Sequence, residues 1–124
     1  MTTKQVNKMG FGSLRVNKVN DDMAEVFVYG DIGGWMDGVD AKEFARELKA
    51  LMVSDITARI NSGGGSVFEG QAIYNSLVNH PARVNVVIDG IAASIASVIA
   101  MAGDNISITE GSHIMVHKPW SIAM

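Results

Sequence analysis

Between Arg83 and Gly103 the chain passes from a β-branched run into a stretch that is apolar on every side, and this junction constrains the fold most. Val84, Val86, Val87 and Ile88 read as a buried strand, with Asp89-Gly90 marking a turn after it. Ile95 to Ala102 then reads as a helix with no polar face, closed by Gly103, and such a helix belongs in a protein interior. The apolar stretch Ile91 to Ala102 is about a dozen residues, short of the ~20 that cross a bilayer. A core strand feeding a core helix is the unit of an α/β protein.

Ser94 sits at that junction, and two readings of it stand side by side. In one, Ser94 and Ser97 are small residues that let the helix pack closely, their hydroxyls bonded to carbonyls a turn earlier. In the other, Ser94 is a nucleophile. A serine in the first helical turn lies near unpaired N–H groups and the positive end of the helix dipole, which can stabilise a developing oxyanion.

Residues 1–124 provide for one domain with a modest core. A 48% hydrophobic and 19% charged composition describes a folded protein. Net charge is −3, and no Lys/Arg run forms a stripe, which argues against nucleic acid as a partner. The absence of cysteine excludes disulfides, thiolate chemistry and cysteine-ligated zinc, and is compatible with the cytoplasm. Met1 to Gln5 leads into polar residues without the apolar core of a secretory signal, so the chain reads as soluble, with no membrane partner.

Leu14–Val19 and Met23–Tyr29 alternate as strands around the turn Asn20-Asp21-Asp22. After the glycine-rich loop Gly30–Gly38, Asp40 with Glu43 forms a capping box opening an amphipathic helix. Its apolar face is Ala41, Phe44, Ala45, Leu48, Leu51 and Met52. A strand Ile56–Ile60 precedes Asn61-Ser62-Gly63-Gly64-Gly65. Ser66 with Glu69 is a second capping box, for a helix reaching about Asn79 before Pro81. Ile106–Thr109 and His113–His117 are the last strands. The alternation of strands and helices with short connections predicts an α/β fold with a largely parallel sheet. Lys118 to Met124 carries Trp120, Ile122 and Met124 with no closing element, so the expectation is a fragment cut in mid-fold.

Acyl transfer needs a nucleophile, a base and oxyanion donors. Gly63-Gly64-Gly65 can supply a donor, because glycine lets a backbone N–H approach a substrate closely. The same glycines also suit a tight strand-to-helix turn. A phosphate loop is the poorer fit, since the Lys and Ser/Thr of a Walker loop are missing. Among the histidines, His80 reads as a helix C-terminal cap. His113 and His117 share one strand face. His117 is preferred as base because it ends an apolar run at a strand end, where α/β proteins place their sites.

Four segments, Ile60 to Val67, Gly70 with Ala72-Ile73-Tyr74, Gly90 to Ser94 and Ile114 to Pro119, resemble the ClpP peptidase family in order and spacing. Met101-Ala102-Gly103-Asp104 and His117 to Trp120 are most similar to the ClpP-like head-maturation (prohead) proteases of phages and prophages. The resemblance runs from about Glu25 to the end of the chain. It implies the spiral of β-β-α units shared with crotonases, and a serine endopeptidase working through an acyl-enzyme, with neither metal nor other cofactor. It makes Ser94 the nucleophile and His117 the general base. Gly65 and Ile95 become the backbone N–H donors of the oxyanion hole, and Gly63, Gly64 and Ser66 the substrate-binding loop. It further implies a ring-forming homo-oligomer acting on protein substrates, such as capsid or scaffold proteins, in the host cytoplasm or procapsid. No feature indicates an ATPase partner.

Two departures qualify it. Gly63 stands where many members carry proline, which loosens the loop. The family's third triad residue, an acid, lies some fifty positions past the histidine, and its helical handle would begin after Met124. Asp89 and Asp104 match no family position for that acid. A triad without its acid can lose ~10⁴ in turnover, so the 124 residues alone are expected to be weak or inactive. Two other readings remain: a crotonase-like acyl-CoA enzyme, for which Glu69 is the nearest candidate base, and a non-catalytic assembly subunit.

Overall fold

The computed structural model describes residues 13–33 and 41–116. Its elements are β1 (Ser13–Lys18), β2 (Met23–Tyr29), α1 (Ala41–Lys49), β3 (Asp55–Ser62), α2 (Val67–Val78), β4 (Arg83–Ala93), α3 (Ile95–Ala100), β5 (Asn105–Ile108) and β6 (His113–Met115). They form one six-stranded sheet in the order β1-β2-β3-β4-β5. β6 pairs with β4 past the end of β5. Only β1 runs antiparallel to its neighbour, so the sheet is largely parallel as expected.

Period-two alternation decides which face of the sheet is covered. Ala24, Val26 and Val28 on β2, Ile56, Ala58 and Ile60 on β3, and Val84, Val86 and Ile88 on β4 are in register and fully or almost fully buried. All of these but Ala24 join Phe44 and Leu48 of α1, Ile73 and Leu77 of α2, and Ile99 of α3 in one core. The alternate residues Glu25, Tyr29, Arg59 and Asp89 project from the other face, where they bond to one another. No helix among the described residues is long and apolar enough to cross a membrane.

Three boundaries differ from the sequence reading. α1 ends at Lys49, and Met52, placed on its apolar face, is 89% exposed, because the chain leaves the helix at Ala50 to reach β3. Asp89-Gly90 is not a turn but the middle of β4, which continues to Ala93. The register moves from Ile60↔Ile88 to Ser62↔Ala92, so Asn61 alone stands opposite Asp89, Gly90 and Ile91. Asn61 bridges the irregularity: its Oδ1 accepts from Ile91 N–H at 3.2 Å. A Cβ on Gly90 would lie 2.5 Å from that oxygen, so a side chain there would displace the Asn61 amide from the bulge. Finally, α3 stops at Ala100, and Val98 and Met101 are exposed, so its surface is not buried all round.

Candidate active site

The C-terminal ends of β2, β3 and β4 converge, and the segments leaving them make the site. β4 hands over to α3 at Ser94, whose backbone lies at φ 57°, ψ −129°. It is the only non-glycine residue with positive φ among the described residues. Such a conformation costs on the order of 1–3 kcal/mol and persists where the surroundings impose it. Here they do so from both sides. Ser94 N–H donates to Met115 O of β6 at 3.1 Å. Its carbonyl accepts from Ser97 N–H at 3.0 Å and from Ser97 Oγ at 2.6 Å.

Ser94 occupies the helix N-cap but its side chain makes no capping bond. An N-cap serine normally accepts from the N–H of the second or third helical residue. The hydroxyl of Ser94 is thus left available, and the N–H of Ile95, first in the helix, is one of the donors that helical geometry leaves without a partner. The packing reading holds for one serine of the pair. Ser97 is the buried packing serine bonded back to a carbonyl, and Ser94 is not.

The glycine loop lies directly against Ser94. A Cβ on Gly64 would sit 2.8 Å from Ser94 Cβ and 3.3 Å from its Oγ. Gly64 and Gly65 have φ of 107° and 146°, where side chains are strained, whereas Gly63 faces open space. The loop pairs with the segment after β2: Ile32 N–H donates to Gly64 O and Ser66 N–H to Ile32 O. In a parallel ladder the central residue of such a bridge turns its own N–H the other way. Gly65 is that residue, and its N–H has no acceptor among the described residues.

Ser66 caps α2, its Oγ accepting from Glu69 N–H at 3.3 Å. The box is only half formed. The Glu69 carboxylate turns away to accept from Ala41 N–H, because Ile32 already takes the Ser66 N–H. Ala41 opens α1, so Glu69, the candidate base of the acyl-CoA reading, is engaged at that helix's start. Asp104 accepts from Val84 N–H, and Asp89 takes bonds from Tyr29 and Arg59.

Among the histidines, His80 follows the α2 C-cap Asn79 and its backbone N–H donates to Leu77 O at 3.2 Å, but its ring does not cap the helix. Its Nδ1 accepts from Ala82 N–H and its Nε2 lies 3.1 Å from Leu51 O, tying the loops before β3 and β4 together. It lines a cleft of about 850 Å³ with Asp21, Leu48 and Met52, at the opposite end of the strands from Ser94. His113 is exposed on β6. His117, Asp40, Trp35 and Trp120 lie outside the described residues. The bond from Ser94 N–H to Met115 O does bring the chain alongside Ser94 two residues before His117. Among the described residues no group of three or more His, Cys, Asp or Glu side chains could hold a metal.

Sequence reasoning missed Ser62. It is 1% exposed, its Oγ donating to Gly30 O at 2.6 Å and accepting from Gly64 N–H at 3.1 Å. A polar residue at an inward-facing position of β3, just before the glycines, was the available signal.

Residues 16–124 match a protein family described as Clp protease. An ATP-dependent Clp protease proteolytic subunit of Ligilactobacillus salivarius is 37% identical over 109 residues, covering 82% of this chain and 46% of that protein. ATP-dependent Clp protease proteolytic subunit 3 of Rhodococcus jostii is 39% identical over 93 residues, 69% of this chain and 46% of that protein. Among solved structures, ClpP1 from Listeria monocytogenes superposes with a TM-score of 0.67 at 30% identity, over 77% of this chain and 56% of that one. The chain spans about half the length of these relatives.

Proposed function

The chain belongs to the Clp protease family, and from that premise we propose that the whole protein is a ClpP-type serine endopeptidase using Ser94 as nucleophile. Ser94 Oγ attacks the scissile carbonyl and His117 accepts its proton. The N–H groups of Gly65 and Ile95 hold the oxyanion of the tetrahedral intermediate. Collapse expels the amine, which takes a proton from His117, and leaves an ester on Ser94. Water, deprotonated by the same imidazole, then frees the acid. Gly63, Gly64 and Ser66 border the substrate backbone. No step needs a metal or other cofactor.

The observation that carries this reading is the backbone of Ser94. A strained serine at a strand-to-helix junction, excused from capping its own helix and set against two left-handed glycines, matches the requirements of an exposed nucleophile. A fluorophosphonate probe applied to the complete coding product should label Ser94 and should fail on Ser94→Ala. Equal labelling of that variant would refute the assignment.

The partners follow at a finer level. A ring of identical subunits cutting capsid or scaffold proteins, in the host cytoplasm or a procapsid, rests on Met101 to Asp104 and on His117 to Trp120. The relatives above are instead named as ATP-dependent subunits. Processing of co-expressed capsid protein without nucleotide supports the maturation role. Degradation only with an ATPase and nucleotide would exclude it.

A further inference from the structure

We propose that Ser62 is the positioning residue of the oxyanion loop, fixing which amide of the glycine turn faces the nucleophile. The inference rests on the reading of Ser94 and Gly65 given above. The glycine loop offers three consecutive amides, those of Gly64, Gly65 and Ser66. Two of them have acceptors: Gly64 N–H is held by Ser62 Oγ at 3.1 Å and Ser66 N–H by Ile32 O at 2.8 Å. The middle amide has none among the described residues, so the outer two bonds act as a pair of pins that leave Gly65 N–H as the available donor.

The Ile32 pin is backbone and survives any side-chain change. The Ser62 pin is a hydroxyl, and it is itself anchored because it donates to Gly30 O at 2.6 Å. The same oxygen thus connects the end of β2 to the first glycine of the turn that has left-handed φ. Glycine has no Cβ to limit its rotation. Without the hydroxyl, the Gly64 N–H would be unpaired in a buried position, and turning the Gly63–Gly64 peptide toward another acceptor would relieve it. The Gly64–Gly65 peptide, whose oxygen is held by Ile32 N–H at 3.0 Å, would then be fixed from one side only, and the changed φ of Gly64 would tilt Gly65 N–H off the carbonyl it must meet.

Ser62 touches neither substrate nor the reacting atoms, so its removal should spare substrate binding and slow acylation. Ser62→Ala in the complete coding product should acylate roughly 10- to 100-fold more slowly, short of the 10²–10³ typical for losing a donor outright. KM for a p-nitrophenyl ester should be unchanged. The rate preference for that oxo-ester over the matching thiono-ester should fall, because a misplaced donor no longer rewards oxygen over sulfur. Amide hydrogen exchange should accelerate at Gly64 and Gly65 while Val86 and Ile88 stay protected.

An unaltered acylation rate overturns the proposal, as does a loss accompanied by general loss of core protection. If the unsubstituted protein is not labelled at Ser94, the functional reading fails separately. The exchange measurement then decides the role of Ser62: acceleration confined to residues 63–65 upholds the pin, and unchanged Gly64 exchange refutes it.

Discussion

Ser94 sets the terms at the residue scale, since its left-handed backbone is a cost the fold carries for the sake of the hydroxyl's placement. Alanine removes the hydroxyl but keeps the strain, whereas glycine removes both. Ser94→Gly should therefore be more stable than Ser94→Ala by about 1–2 kcal/mol in urea unfolding, reversing the usual order of the two residues. Both should lack probe labelling. Equal stability would mean that the turn is not strained. The neighbouring glycines should separate in the same way. Gly65→Ala puts a methyl 2.2 Å from Ile32 O, and Gly64→Ala puts one 2.8 Å from Ser94 Cβ, each at positive φ. Either should cost on the order of 1–3 kcal/mol and abolish acylation. Gly63→Ala meets no atom within 4 Å, and should be neutral or stabilising by up to about 1 kcal/mol in urea unfolding.

Contact between α2 and α3 is the element that transmits packing into the site. It runs through Gly70, where an added Cβ would lie 2.3 Å from Ile95 Cγ1. Ile95 also carries the second proposed oxyanion donor, so overpacking here should reach the chemistry. Gly70→Ala should destabilise by roughly 1–3 kcal/mol and slow acylation; adding Ile95→Val, which thins the opposing side chain, should recover part of both. A double variant no better than Gly70→Ala in thermal melts and labelling would show that the helices adjust elsewhere. Much of this level was legible beforehand. The alternation from Met23 to Tyr29 and the capping serine of α2 mark their elements by local rules, and the structure places both as read. The junctions at Ser94 and at the glycine loop were legible as points where a strand gives way to a helix, because turn chemistry there is local. What was not legible depends on register. The passage of β4 through Asp89-Gly90 requires Asn61 of another strand to fill the gap, and Ser62 acquires partners only once β2 and β3 lie side by side. Likewise the His80 ring serves as a loop clamp and not as a helix cap because Leu51 O and Ala82 N–H flank it.

Across the whole molecule, the sheet separates an apolar face bearing the helices from a face where one polar network crosses three strands. Tyr29 Oη donates to Asp89 at 2.6 Å, Arg59 donates to Asp89 at 2.8 Å, and Arg59 Nε donates to Glu25 at 3.2 Å. The network joins β2, β3 and β4 just where the register of β3 on β4 shifts, so it clamps the strands whose ends carry the proposed site. Burial of the phenol, then its bond to the Asp89 carboxylate, push the Tyr29 pKa well above its ordinary value. Arg59 remains cationic: its bonds to Glu25 and Asp89 more than offset the desolvation that opposes its charge. The folded state thus keeps the Tyr29 proton at pH values where the unfolded chain, ionising near 10, has released it. Proton linkage then gives the sign: the contribution is fully present below about pH 10 and declines as pH rises above that value. Tyr29→Phe removes both the bond and its pH dependence. At pH 8 the variant should be less stable by about 1.5–3 kcal/mol, the range for a hydrogen bond to a charged group. Urea titrations of both proteins should show this difference shrinking from pH 10 upward, because only the unsubstituted protein pays to hold the proton. A gap that stays constant to pH 11.5 would mean that the phenol ionises alike in both states, and that the network does not clamp the strands through Tyr29.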